Sequence, residues 1–276
     1  MSHEGPSVGS GRHRGPHLAI AGWTVALDVE DEELRALLTR VFSRFQTEVP
    51  PMARIEVTAP AAPRAAPAVR TLPEARRGPE GHLHLEGEDY SARISADGLQ
   101  AWVTGAGTFP VETALKLLLA LELARRGGLL VHGVSVEHQG QAALWVGPSG
   151  AGKSTLASLW RAAEGVVLAD ELVAVWPGEG GWRAAGTPWN TGLPREAALR
   201  VVGVLGWDTR SRWEPATAGE VARVLLLNAL LPEASTAGRG FLLGAASRLL
   251  DSVRTARLVF APDASVVEVL RQGCAR

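Results

Sequence analysis

The sequence has few cysteines, few lysines and no long apolar run, and each shortage excludes a class of structure or partner. Cys274 is the only cysteine among the 276 residues, so an internal disulfide and a cysteine-rich metal site are both excluded. No apolar stretch approaches the roughly 18 residues of a membrane span. The first 16 residues are polar and contain no apolar signal segment. We therefore expect a cytoplasmic protein without a membrane partner.

An excess of charge of either sign is also missing. The chain has 28 basic and 29 acidic residues, a net charge of −1, and a pI of about 6.7. A protein that binds nucleic acid through its electrostatic field needs a clear basic excess, so we expect no nucleic-acid partner. Hydrophobic residues make up 46% of the chain, which is enough for a core and excludes a mostly disordered chain.

Lysine is unusually rare among the basic residues. Only Lys116 and Lys153 are lysines, and the other 26 basic residues are arginines. Arginine can replace lysine at most surface positions, but it cannot do so where a compact point charge must fit. Lys153 belongs to the motif described below, which suggests that its small ammonium group is needed there.

The composition changes along the chain and divides it into three parts. We predict a flexible tail over residues 1–16 and a small α+β subdomain over residues 17–105. Within that subdomain, residues 59–80 form a loop rich in Pro and Ala. Residues 106–276 predict an α/β domain, which opens with a helix over residues 110–126 that is apolar on nearly every side.

A glycine-rich segment follows two predicted strands, residues 129–137 and 142–146. Residues 147–155 match the pattern G-x-x-x-x-G-K-[ST] in full. Its glycines allow successive N–H groups to point at one anion, and the predicted helix over residues 155–163 adds its positive end. The segment therefore predicts a binding site for a nucleoside triphosphate with Mg²⁺. The predicted binding residues are Gly147, Pro148, Ser149, Gly150, Ala151, Gly152, Lys153, Ser154 and Thr155.

Acidic residues return to this site after one predicted helix. An apolar strand ends in Asp170 and Glu171, and Asp170 follows Lys153 by 17 residues. This short spacing brings the acids to the edge of the sheet where the phosphates would bind. Lys153 would supply a positive charge to the β- and γ-phosphates, and the Ser154 hydroxyl would ligate Mg²⁺. His132 lies on an apolar strand, where it is either a core histidine or a residue that faces the phosphates.

Residues 130–175 resemble the catalytic domain of the HPr kinase/phosphorylase family and, more distantly, the ATP-dependent phosphoenolpyruvate carboxykinases. That family has a His-Gly pair on a strand, a P-loop glycine 15 residues after the histidine, and paired acids after a short helix. The matching residues here are His132, Gly133, Gly147, Asp170 and Glu171. The resemblance implies a P-loop kinase fold with a mixed, partly antiparallel sheet, preceded by the small α+β subdomain.

The resemblance also implies a reaction and a set of roles. Asp170 would be the general base that takes the proton of an attacking serine hydroxyl, with His132 close to it. Glu171 and Ser154 would hold Mg²⁺, with Glu196 as the nearest candidate for the further acid of the family. The cofactors would be ATP and Mg²⁺, and the partner would be a protein or peptide that accepts the phosphate. Since the HPr enzymes form hexamers, the resemblance also allows a homo-oligomer.

The chain departs from the family after Glu196, where the Arg-Gly-Leu-Gly signature of the HPr enzymes is replaced. This departure argues against HPr as the acceptor and against a phosphorylase reaction. Beyond the acids, a loop over residues 186–192 could shape a substrate pocket, Arg195 could meet the transferring phosphate, and residues 201–205 predict a strand.

Two alternatives to a kinase remain open at this point. One is an ATP hydrolase or nucleotide-dependent switch, in which Asp170 would hold Mg²⁺ and Glu171 would polarise water. The other is a nucleotide-sensing module without catalysis. The short spacing between the motif and the acids favours the kinase.

Overall fold

The computed structural model describes residues 15–60 and 74–274, which form a mixed α/β fold with two sheets. Nearly all of the tail predicted for residues 1–16 lies outside the described residues, as do residues 61–73 of the predicted loop. Within the described ranges, no helix combines the length and apolar character needed to cross a membrane.

The first sheet contains seven strands from the N-terminal part of the chain. They are β1 (His17–Ile20), β2 (Trp23–Val29), β3 (Ala53–Thr58), β4 (Arg76–Arg77), β5 (Leu83–Glu86), β6 (Ser91–Ile94) and β7 (Gln100–Thr104). Their order is β1-β2-β3-β7-β6-β5-β4, and β2, β3 and β7 run parallel. Helix α1 (Glu32–Val41) and a 3-10 turn (Ser43–Phe45) connect β2 to β3. The Asp31 side chain caps α1 by accepting a hydrogen bond from the Leu34 amide at 2.7 Å.

Helix α2 (Thr108–Arg125) lies between the two sheets and is buried on nearly every side. One hydrophobic core contains the inner face of the first sheet, α2, Leu130 and Trp176 of the second sheet, and Trp189 from the loop between β13 and β14. The boundary predicted at residues 105 and 106 therefore separates the sheets along the chain but does not separate their cores.

The second sheet contains nine strands and carries the glycine-rich segment. They are β8 (Leu129–His132), β9 (Val134–His138), β10 (Gln141–Val146), β11 (Val166–Ala169), β12 (Leu172–Gly178), β13 (Gly181–Ala185), β14 (Glu196–Trp207), β15 (Arg212–Pro215) and β16 (Arg254–Phe260). The order is β11-β9-β10-β14-β13-β12-β8, and β16 pairs with both β14 and β15. Strands β10, β14 and β16 run parallel and the other pairs are antiparallel, so the sheet is mixed.

Four helices cover the two faces of this sheet. Helices α3 (Lys153–Ala162) and α6 (Ser265–Cys274) share one hydrophobic core with it. Helices α4 (Ala218–Asn228) and α5 (Thr236–Ser252) share another.

Two long antiparallel segments of the sheet are interrupted opposite each other. Strands β8 and β9 are separated by Gly133, and strands β11 and β12 are separated by Asp170 and Glu171. The segments pair on both sides of the interruptions, and at the gap the Gly133 amide donates to the Glu171 carbonyl at 3.0 Å. The two acids are thereby held beside the His132-Gly133 pair.

Gly203 of β14 is required by close packing against Trp145 of β10. A Cβ atom at Gly203 would lie 2.3 Å from the Trp145 ring and 2.7 Å from the Ala256 carbonyl oxygen. Gly203→Ala should therefore lower the free energy of unfolding by about 2–3 kcal/mol, measured by denaturant titration. Gly206→Ala on the same strand is the matched control, because its Cβ would meet only Val259, at 3.3 Å. Equal losses in the two variants would contradict this steric explanation.

Candidate functional site

The loop between β10 and α3 has a backbone that depends on glycine. Gly150 and Gly152 have φ angles of +79° and +96°, in the left-handed region that other residues disfavour. A Cβ atom at Gly152 would also lie 2.7 Å from the Trp207 ring. The strand, loop and helix predicted around the motif are all present, and α3 begins at Lys153. The N-terminal end of α3 therefore points into the space that the loop encloses. The positive end of the helix favours an anion in that space.

The Lys153 ammonium group lies against the loop. Its Nζ donates to the carbonyl oxygens of Gly147 at 2.8 Å and Pro148 at 3.1 Å. The residue is 8% exposed, and this burial lowers the pKa of the ammonium group. Carbonyl oxygens do not neutralise its charge, so an incoming phosphate would find an unpaired cation at the loop.

A cavity of about 310 Å³ opens beside the loop. Its lining residues are His132, Ser149, Gly150, Gly152, Lys153, Ser154, Thr155 and Trp207. His132 is exposed and lines this cavity, whereas a contact with bound phosphates stays a prediction. His132 is not a core residue. We call this space the phosphate cavity.

A second cavity, of about 270 Å³, adjoins the first at His132 and is called the adjoining cavity below. Glu171 and Lys116 line it, and the Glu171 Oε1 lies 3.6 Å from the Lys116 Nζ. The Lys116 Nζ also lies 5.2 Å from the centroid of the Trp189 ring. Both lysines of the chain therefore stand close to His132. Sequence reasoning did not place Lys116 in the site, although the rarity of lysine was a signal that could have found it.

The surroundings of His132 favour its neutral form. Partial burial is the main cause that lowers the pKa of the imidazole, and the charge of Lys153 lowers it further. Glu171 raises the pKa and Lys116 lowers it, both by smaller amounts. Since the pKa is lower in the folded chain than in the unfolded chain, this group stabilises the fold above about pH 6.5 and the contribution is lost as the pH falls.

This electrostatic environment can be tested by NMR titration of the His132 ring. Its midpoint should lie below the usual value of about 6.5. Lys116→Met should raise the pKa because it removes a positive charge, and Glu171→Gln should lower it because it removes a negative one. The His132→Asn variant assigns the resonance. A midpoint that does not move in either variant would contradict the arrangement described here.

The Asp170 carboxylate is held by three side chains. Its Oδ2 accepts from both terminal nitrogens of Arg161 at 3.1 Å and from Thr191 Oγ1 at 3.0 Å, and its Oδ1 accepts from Asn190 Nδ2 at 2.9 Å. Arg161 also donates to Thr191. The Asp170 side chain is 4% exposed and lines neither of the two cavities. Asp170 therefore connects α3 to the loop at residues 186–192, and sequence reasoning missed all three of its partners.

Two residues expected at the phosphates lie elsewhere. Glu196 begins β14, whereas the residue of β14 beside Gly147 is Leu205, nine positions later. Nine residues of extended strand span about 30 Å, which excludes Glu196 as a ligand of a metal ion at the loop. The Arg195 Nε lies 2.8 Å from the Glu137 Oε2, so Arg195 makes an ion pair on the sheet and does not face the loop.

The described residues contain no group of three or more His, Cys, Asp or Glu side chains that could hold a metal ion by themselves. A Mg²⁺ ion that binds together with a nucleotide needs fewer protein ligands, because it commonly uses one or two carboxylates together with phosphate oxygens and water. Ser154 lines the phosphate cavity and Glu171 lines the adjoining one, so these two residues could complete such a set.

A search against models of known protein families finds no match to the chain, and neither does a search against curated protein sequences.

Proposed function

We propose that the protein is an ATP- and Mg²⁺-dependent kinase that transfers the γ-phosphate to a serine hydroxyl of a protein or peptide. The observation that carries this proposal is that two cavities meet at His132. One contains the glycine-rich loop with Lys153, and the other contains Glu171. A phosphotransferase needs a donor site and an acceptor site that adjoin, so that the acceptor oxygen can reach the γ-phosphorus.

The nucleotide would bind with its phosphates on the glycine-rich loop. The loop amides and the positive end of α3 would hold the β-phosphate, and the Lys153 ammonium would exchange its carbonyl partners for phosphate oxygens. Ser154 and Glu171 would hold Mg²⁺, which neutralises charge on the β- and γ-phosphate oxygens when bound. The Glu171 side chain is 39% exposed and its nearest cation is 3.6 Å away, so the carboxylate is accessible for this role.

The acceptor hydroxyl would enter from the adjoining cavity. Its oxygen would form a bond to the γ-phosphorus while the bond between that phosphorus and the β–γ bridging oxygen breaks. The hydroxyl proton would pass to Asp170, the base that the family resemblance implies. Asp170 is 4% exposed and lines neither cavity, so for this step it must become accessible from the adjoining cavity and exchange one of its bonds to Arg161 or Thr191 for the acceptor. Because Asp170 is occupied before this exchange, the site would stay inactive until an acceptor docks. Transfer of the phosphate to water would thereby be suppressed.

One observation favours a second candidate, a nucleotide-dependent switch. Asp170 connects Arg161 of α3 to Asn190 and Thr191, and α3 begins at the glycine-rich loop. A nucleotide bound at the start of α3 could therefore move the loop at residues 186–192 without any phosphate transfer.

Incubation with γ-labelled ATP, Mg²⁺ and a lysate of the source organism separates these candidates. The kinase proposal predicts label in a discrete protein or peptide band, and no such band with the Lys153→Met variant. Release of free phosphate without a labelled acceptor would favour a hydrolase. Nucleotide binding with neither outcome would favour the switch.

A further inference from the structure

The phosphate cavity has one aromatic wall that the transfer chemistry does not use. This wall is the indole ring of Trp207, the last residue of β14. Trp207 is 47% exposed, whereas Trp145 and Trp160 are almost fully buried in the same half of the molecule. An exposed indole ring at the rim of a binding cavity offers an apolar face on which a planar ligand group can stack.

The ring is held firmly in place. Its Nε1 donates to the Gly150 carbonyl at 2.7 Å. Its centroid lies 4.7 Å from that of Phe260 at an interplanar angle of 30°, so Phe260 covers one face. Gly152 leaves room for the edge of the ring, since a Cβ atom there would lie 2.7 Å from it. Trp207 is 47% exposed and lines the phosphate cavity, so part of its open surface borders that cavity.

The order of the strands places Trp207 at the end of the cavity opposite the acids. Strands β9 and β11 lie on one side of β10 and lead to Asp170, while β14 and β16 lie on the other side and end at Trp207 and Phe260. A triphosphate on the loop with its γ-phosphate near His132 and Glu171 would extend its nucleoside in the opposite direction, toward Trp207.

We propose that the open face of Trp207 stacks on the base of the bound nucleotide. This inference rests on the proposed function, because it assumes that the loop binds a nucleoside triphosphate. Stacking uses the π-face that every base has, so it provides affinity with little discrimination between bases. The site should therefore bind ATP and GTP with similar affinities, and both more tightly than inorganic triphosphate.

Two substitutions isolate the aromatic ring from the other contacts of Trp207. Trp207→Phe and Trp207→Leu both remove the hydrogen bond to Gly150 and both keep an apolar side chain beside Phe260. Only the phenylalanine retains a π-face. Isothermal calorimetry is then done with ATP and with inorganic triphosphate, each with Mg²⁺. Inorganic triphosphate tests the phosphate contacts alone, whereas ATP tests them together with the contact to the base. Calorimetry is preferred because the chain has nine tryptophans, which prevents fluorescence from reporting on one of them.

We expect the leucine variant to bind ATP at least about tenfold more weakly than wild type, and the phenylalanine variant to stay within about threefold. Inorganic triphosphate should bind equally to all three proteins, which also shows that the loop is intact in each. Equal ATP affinities of the two variants would overturn the proposal. So would an equal loss of triphosphate binding, because Trp207 would then only support the loop. Wild-type protein that binds neither compound would instead refute the proposed function, whereas binding of triphosphate as tight as that of ATP would refute only the stacking.

Discussion

Replacing Lys153 by arginine should nearly abolish nucleotide binding, although arginine provides 26 of the 28 basic residues of this chain. The Lys153 Nζ fits between two carbonyl oxygens of the loop, 2.8 and 3.1 Å away, at a residue that is 8% exposed. A planar guanidinium group is too large for this position and has a different donor geometry. We expect the Kd of ATP·Mg²⁺ to rise about 100-fold or more in Lys153→Arg and in Lys153→Met. Loss of one charged partner from a buried contact typically weakens binding by this amount.

The other lysine provides a matched control for this experiment. Lys116→Arg should leave the Kd of ATP·Mg²⁺ within about threefold, because Lys116 lines the adjoining cavity and not the phosphate cavity. Calorimetric titration measures all three variants. If the Lys153→Arg variant binds ATP as tightly as wild type, the loop does not use Lys153 as a compact point charge.

Asp170→Asn should lower phosphate transfer by about 100-fold or more while the Kd of ATP·Mg²⁺ stays within about threefold. Loss of a general base typically has an effect of this size, and the Asp170 carboxylate does not line the phosphate cavity. The same substitution also removes the negative charge that faces Arg161, so it should lower the free energy of unfolding by about 1–3 kcal/mol. The two effects are separated by assaying at a temperature well below the melting point of the variant.

Arg161→Gln is the matched control, since it breaks the same ion pair and leaves the carboxylate bonded to Asn190 and Thr191. It should lower the melting temperature, as Asp170→Asn does, but transfer should stay within about tenfold of wild type. Equal losses of transfer in the two variants would indicate that Asp170 acts only through the fold, and the general-base assignment would then have to be abandoned.

The parts of the site that lie close together in sequence were predictable. The motif itself requires a strand, a tight loop and a helix, and the structure contains all three around residues 147–155. The return of the acids to the same edge of the sheet was predictable too, because only one short helix separates them from the loop, but the burial of Asp170 outside both cavities was not. His132 was left between two interpretations, since the pattern of one strand does not reveal which face is covered.

The position of Glu196 was not predictable from spacing. The strand pattern was recognised only over residues 201–205, whereas β14 extends over Glu196–Trp207. A loop before residue 201 could have brought the acid back to the phosphates, but an extended strand carries it about 30 Å away.

The partners of Asp170 were missed for a related reason. Arg161, Asn190 and Thr191 come from a helix and a distant loop, and no local pattern encodes such tertiary pairs.

The division of the chain was predicted in part. The α+β character of residues 17–105 follows from short alternating strands and one amphipathic helix, and this part of the chain contains the first sheet and helix α1. The apolar surface of α2 on every side predicts burial against a sheet. It does not indicate that the helix is shared by two sheets, which only the packing reveals.

The most direct test of the central claim is a crystal structure with Mg²⁺ and an ATP analogue that cannot be hydrolysed. We expect the triphosphate on the loop amides, with the Lys153 Nζ moved from the carbonyls of Gly147 and Pro148 to phosphate oxygens. The γ-phosphate should lie on the side of His132 and Glu171. A γ-phosphate directed away from both residues, or an analogue bound elsewhere while Lys153 still contacts the two carbonyls, would contradict the proposal.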